Sequence, residues 1–264
     1  MNAKIQQYQS EGADAEAKLA ALLSAHEYDA LVARVVRCML FKAHEKPGVP
    51  VKRQELLDAC FADYRGHGAS KKLPSLVLRV AQARAAAVFG LEMEELSRVA
   101  VTTKRKGVGA DDAPNVTSTY VLRSILPVAM RRALVDDPAD DQAQGFKALV
   151  LALIHLNGGQ IEADDLWRHL SRLGADRGDK EHPHLGKTED ALAALEKTRH
   201  IVRSEASSVN GPMATLRWGE NAASEFGEAG IKQFIEQEFA AAPGFDGLDA
   251  ARGRGGGDGN DGDA

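Results

Sequence analysis

Val88-Phe-Gly-Leu-Glu-Met-Glu-Glu-Leu96 is the stretch on which the fold turns. Its first residues close a helical run, Gly90 offers the backbone freedom of a helix C-cap, and from Leu91 the apolar residues begin to alternate as on a strand. Upstream, the apolar spacing predicts a helix over residues 73–89, with Pro74 tolerable in its first turn. A shorter helix is predicted over 52–64, with Leu56, Leu57, Cys60 and Phe61 inward. The polar stretch Arg65-Gly-His-Gly-Ala-Ser70 reads as the loop between them. A further helix begins at Tyr28, where Leu31, Val32, Val35, Val36, Met39 and Leu40 recur at helical spacing until Lys46-Pro-Gly-Val-Pro50 breaks it. Residues 13–27 are Ala/Leu/Glu-rich and read as a short helix, marginal on its own. Downstream of Leu96, a charged, Gly-rich excursion (Lys104-Arg-Lys-Gly-Val-Gly109) leads to a second strand near residues 118–122. Three helices followed by a two-stranded hairpin is the winged-helix pattern.

The pattern recurs. Residues 146–156 form a helix apolar on nearly every side, which calls for burial, and Asn157-Gly-Gly159 ends it. Ile161 can pair briefly as a strand. A second helix follows over 164–173, with Leu166, Trp167, Leu170 and Leu173 inward, then a polar loop over 174–186 and a third helix over 187–198. A hairpin with strands over 200–204 and 213–218 closes the unit around Asn210-Gly-Pro212. One last amphipathic helix is predicted over 222–239, and the Gly/Asp-rich residues beyond 240 read as disordered. The expected organisation is an N-terminal extension (1–27), a first winged helix (28–126), a linker (127–144), a second winged helix with its C-terminal helix (145–240) and a tail (241–264). The fold class is mainly α with small β-hairpins, in tandem winged helices.

Composition narrows the function. The chain has 264 residues, 44% of them hydrophobic and 27% charged, which is ordinary for a globular protein. Its longest apolar run, 148–156, is about half of what spans a bilayer, and the opening MNAKIQQYQSEG lacks an apolar signal core. The reading is an intracellular chain without a membrane partner. Cys38 and Cys60 both follow helical apolar patterns and are too few for a disulfide framework. The net charge of −5 conceals a polarity: residues 28–110 carry fifteen Lys/Arg against eight Asp/Glu, and residues 111–264 sixteen against twenty-six. A basic first half on an acidic protein points modestly to a polyanion.

The same residues resemble a known family. Val36-Arg-Cys-Met-Leu-Phe-Lys42, followed by Val49-Pro-Val-Lys-Arg-Gln-Glu-Leu-Leu57, is similar to the opening of the MAGE homology domain, with Met39-Leu40 standing where the family carries a Leu-Leu pair. The Phe89-Gly90 strand entry, the return strand at Tyr120-Val-Leu122, the helix and turn over 149–159, Leu166-Trp167 and the closing Leu216-Arg-Trp-Gly219 keep the family's order. Tyr120-Val-Leu-Arg-Ser-Ile-Leu-Pro127 is most similar to the branch that serves an SMC-type chromosome-maintenance complex. Residues 102–116 exceed the family's usual hairpin turn. The resemblance implies a non-enzymatic nuclear subunit without a cofactor. Its implied partners are a RING-type E3 subunit, a kleisin subunit, SMC proteins through the complex, and duplex DNA. RING docking is implied for Val36, Met39 and Leu40. A kleisin groove floored by Phe146, Val150, Leu153 and Ile154 is consistent with grooves between helices that receive an amphipathic helix.

For duplex DNA, winged-helix geometry nominates cations on the third helix and wing. These are Lys52, Arg53, Lys71, Lys72, Lys104, Arg105 and Lys106 in the first repeat, and Lys187, Arg199 and Arg203, with Lys197, in the second. Binding through them is salt-sensitive and sequence-nonspecific, because phosphate neutralisation dominates. His182 and His184, with His169 nearby, have no cysteine companion and flank Pro183 in a polar loop, so they read as solvated rather than as a metal site. Gly107-Val-Gly-Ala110 lacks the strand–helix context of a phosphate loop. The rival readings are a ubiquitin-ligase adaptor with no role on DNA and a stand-alone winged-helix regulator.

Overall fold

The computed structural model describes residues 2–64, 72–99, 116–135, 138–208 and 211–241. Two units of the same topology follow one another. The first opens with α1 (Asn2–Ala20) and α2 (Ala25–Glu45), then β1 (Val51–Lys52), α3 (Arg53–Cys60), α4 (Leu73–Arg84), β2 (Leu91–Val99) and β3 (Val116–Ser124). A connecting helix α5 (Val128–Leu134) leads to α6 (Pro138–Leu156), β4 (Gln160–Glu162), α7 (Ala163–Arg172), α8 (Thr188–Lys197), β5 (Ile201–Ser208) and β6 (Gly211–Trp218). Two helices, α9 (Glu220–Glu225) and α10 (Gly227–Ala241), finish the fold. Each sheet is antiparallel and ordered alike, β1-β3-β2 and β4-β6-β5, with the short strand pairing against the last. The mainly helical class and the twice-repeated winged helix are therefore present.

Each unit closes on its own apolar cluster. In the first, Leu31, Val32, Val35, Val36 and Met39 of α2 meet Leu56, Cys60, Val77, Leu78, Met93 and Tyr120, and α1 adds Ala15 and Leu19. In the second, Val150, Leu151 and Ile154 of α6 meet Ile161, Leu166, Leu170, Ile201, Leu216 and Ile231. Each such buried aliphatic side chain stabilises the fold by about 1.5–3 kcal/mol through removal from water.

Several boundaries differ from the sequence reading. The helix expected from Tyr28 starts at Ala25, because Ser24 and Glu27 form a capping box: the Glu27 amide donates to the Ser24 hydroxyl, and the Glu27 carboxylate accepts the Ser24 amide at 3.0 Å. The helix expected to reach residue 89 becomes regular α4 only to Arg84, then a π turn over Ala85–Phe89 closed by Gly90 at φ 62°. Helix α6 begins inside the expected linker, at Pro138, where proline costs no helical hydrogen bond. The single last helix is two, broken at Gly227 with φ 61°. Lys71, Lys104, Arg105, Lys106, the wing excursion and the tail beyond residue 241 lie outside the described residues.

Candidate functional site

Between the two units runs an open cleft of about 870 Å³. One wall is β3, through Leu122 and Arg123, with Ile125 just beyond it; the other is built from Phe146 and Lys147 of α6, Ala191, Ala194 and Leu195 of α8, and Ser224 and Glu225 of α9. The loop residues His184 and Leu185 and the turn at Pro47-Gly48 complete the rim. Apolar floor and charged edge together suit an amphipathic helix.

One polar network ties the two walls together, and a second braces the wall of the second unit. Arg123 reaches from β3 to α9, where its guanidinium donates to the Asn221 side chain, to the Asn221 carbonyl at 3.3 Å and to the Ser224 hydroxyl at 3.1 Å. The same guanidinium pairs with Glu94 of β2 at 3.0 Å, and the Ser224 hydroxyl donates to Glu94 as well. Behind this bolt, Lys147 pairs with Glu225 at 2.8 Å, and Glu225 lies 2.6 Å from Nε2 of buried His200. Burial pushes the His200 imidazole below its usual range, against the opposing pull of Glu225. Burial alone would raise the Glu225 carboxyl, but the hydrogen bond from His200 and the Lys147 ammonium outweigh it and bring it down to about 2. A neutral imidazole has one N–H. The ionised Glu225 claims it at Nε2, which leaves Nδ1, 2.7 Å from the Thr198 hydroxyl, as the acceptor.

The Trp218-Gly219 pair builds this wall. The Trp218 indole donates to the Leu151 carbonyl at 2.9 Å and its ring stacks on His155. Gly219 admits the Arg199 carbonyl: a Cβ there would fall 2.1 Å from that oxygen. Arg199 itself has φ 62°, alone among the described non-glycine residues. Arg199, expected to face phosphate, sits at a strained backbone corner between the cleft residues Thr198 and His200.

The structure distributes the other expected site residues unevenly. Phe146 lines the cleft, but Val150 and Ile154 are fully enclosed in the second core and Leu153 packs against it, so the floor shifts to the α8 and β3 side chains above. On α2, Met39 is 2% exposed and Val36 is buried beside it; Leu40 is half-buried and Phe41, 71% exposed, is the apolar side chain turned to solvent. The apolar stripe of α2 faces its own core, and its overlooked neighbour faces outward. Phe41 was legible as an apolar residue off the stripe.

Among the cations, Lys52 and Lys72 are exposed at the starts of α3 and α4. Arg53 joins these helix ends, donating to the Ser75 hydroxyl at 2.8 Å and to the Tyr120 hydroxyl. In the second unit Arg203 is paired with Glu196, and Lys187 sits 3.9 Å from Asp190. The first turn of α8 carries Glu189 and Asp190, so the helix in the groove-reading position presents carboxylates. The amides of His184 and Leu185 donate to Nδ1 of His182, shaping a tight turn. Among the described residues no cluster of three or more His, Cys, Asp or Glu could hold a metal ion, and no helix is long and apolar enough to cross a membrane.

Two winged helices in tandem, with an open cleft between them, define the class of fold. The profile of the MAGE homology domain matches residues 35–229, and the chain belongs to that family. Among solved structures, a chain of the "Nse1-Nse3-Nse4 complex" is similar at a TM-score of 0.64 and 18% identity, over 84% of this chain and 94% of that one, so the two share the fold. No curated protein sequence matches it.

Proposed function

We propose that this chain is the MAGE subunit of an SMC-five/six-type chromosome-maintenance complex, the position of its third non-SMC element. In this reading it bridges a RING-type E3 subunit and a kleisin, meets the SMC proteins through them, works in the nucleus and adds sequence-nonspecific grip on duplex DNA. It acts as a scaffold and performs no chemistry of its own. The observation that carries the reading is the cleft between the winged helices, with its apolar floor and the Arg123 contacts that tie its two walls. Support comes from family membership and from the fold shared with a chain of a complex so named. The kleisin contributes an amphipathic helix to the cleft, and the RING subunit meets Leu40 and Phe41 at the end of α2.

Purification of the tagged chain from its own cells at moderate salt tests this. Stoichiometric recovery of a RING protein, a kleisin and two SMC chains is the expected result. Recovery of a ubiquitin ligase alone makes the chain an adaptor instead, and recovery of no stoichiometric partner removes the complex from consideration.

A further inference from the structure

One row of α2 side chains faces α3, and the two cysteines of the sequence meet in the middle of it. Arg34, Cys38 and Lys42 follow one another at four-residue spacing, which sets them on one side of the helix. At one end of the row the Arg34 guanidinium donates to the Cys60 carbonyl at 3.2 Å and to the Asp63 carboxylate at 3.1 Å. At the other end the Lys42 ammonium pairs with Glu55, in the first turn of α3. Cys38 stands between these two braces, and its thiol is in hydrogen-bond contact with that of Cys60, the last residue of α3.

The two thiols differ in access. Cys60 is 1% exposed within the first core, whereas Cys38 is half-buried against it. Burial, and then the adjacent Cys38 sulfur, push the Cys60 thiol above its ordinary range, so it stays protonated at neutral pH. An accessible thiol held against a second one is the arrangement in which one sulfur is oxidised and the other resolves it.

We propose that Cys38 and Cys60 form a modification site for hydrogen peroxide, which converts the pair into a disulfide joining α2 to α3. The Cys38 sulfur attacks one peroxide oxygen and the O–O bond breaks. Water leaves with the thiol proton, the sulfur is oxidised to a sulfenic acid and the peroxide is reduced. The Cys60 sulfur then attacks that of Cys38, the S–O bond breaks, and the hydroxyl departs as a second water with the Cys60 proton. Two thiols and one peroxide give one disulfide and two waters. A small-molecule thiol reverses the bond by exchange. The loop that the bond closes carries the Pro47-Gly48 turn of the cleft rim, so oxidation tethers both flanks of that turn.

The test exposes the folded full chain to hydrogen peroxide and follows intact mass, thiol content after unfolding, and a tryptic digest made without reductant. The expected product is a monomer that has lost two hydrogen atoms and both titratable thiols. In its digest residues 38–42 are linked to residues 54–65, and dithiothreitol separates them. Cys60→Ala stops at the sulfenic acid, which dimedone traps on Cys38; Cys60→Ser serves if that chain does not fold. Cys38→Ala leaves the Cys60 thiol unreacted. Any of three results overturns the proposal: Cys38 that resists peroxide, a disulfide between two chains, or Cys38 reaching the sulfinic acid while Cys60 remains a thiol.

Discussion

The two winged helices share one topology and differ in what their third helix presents. In the first, α4 is free of carboxylates and lies beneath α1; in the second, α8 opens with Glu189 and Asp190 and its small residues Ala191 and Ala194 line the cleft. The repeat has diverged in the chemistry of a single helix position: one copy carries arginines without a carboxylate and packs against α1, and the other opens with carboxylates and borders the cleft. The units also differ in how their motif glycines work. Gly90 is needed for a left-handed turn, with Leu126 side-chain carbons within 3.3 Å of a Cβ placed there; Gly219 is needed because backbone stands where a Cβ would go.

That contrast sets a large expected effect. Gly219→Ala drives a methyl into the Arg199 carbonyl and costs on the order of 3–4 kcal/mol, whereas Gly90→Ala meets a movable leucine tip and an unfavourable φ, for about 1–2 kcal/mol. Urea unfolding of both variants measures the difference, and equal losses would erase the distinction between the units. Met39→Asp buries a carboxylate in the first core and abolishes cooperative folding, while Phe41→Asp, two residues on and on the solvent face, stays within about 0.5 kcal/mol of wild type. Arg123→Ala leaves Glu94 and Asn221 without their partner at the junction and costs about 2 kcal/mol, the partial exposure of the pair lowering it from the fully buried case. Calorimetry of that variant should show the two units melting less cooperatively.

The smallest effect is a pH slope. His200 has a folded pKa below its unfolded value near 6.5, so its contribution is complete above that pH and lost as pH falls through the lowered folded value. Glu225, lowered to about 2, contributes above its unfolded pKa and loses that contribution as pH falls toward 2. Melting temperature therefore drops from neutral pH downward in two stages, and His200→Gln, which keeps a donor toward Glu225, flattens the first. A variant with the wild-type slope between pH 7 and 5 would remove His200 from the junction's titration.

Where the sequence was legible follows from the same physics. Helical and strand periodicities report which face is apolar, so both three-helix runs, both hairpins and the Gly90 cap are legible in the sequence. Periodicity does not say whether an apolar face meets its own core or a partner. Met39, Val150 and Ile154, expected at docking surfaces, are buried in the two cores of this chain, while Phe41, off the stripe, is exposed. Two-residue β1 carries no pattern of its own and exists because β3 pairs with it. The break at Gly227 was masked by continuous amphipathicity across it, although Ser24-Ala-His-Glu27 did spell a capping box. The junction network was invisible because Arg123, Glu94, Asn221 and Ser224 converge from three elements distant in sequence.

The central claim is that the cleft and the end of α2 are separate docking sites for different partners, and one experiment addresses it directly. The tagged chain would be purified as wild type, Ala194→Arg and Phe41→Asp, with co-eluting proteins quantified. Ala194 is exposed on the cleft wall, so arginine fills the groove without entering the core. The account predicts that Ala194→Arg loses the kleisin and the SMC chains while keeping the RING protein, and that Phe41→Asp does the reverse. Full recovery of the kleisin with a folded Ala194→Arg chain would contradict it.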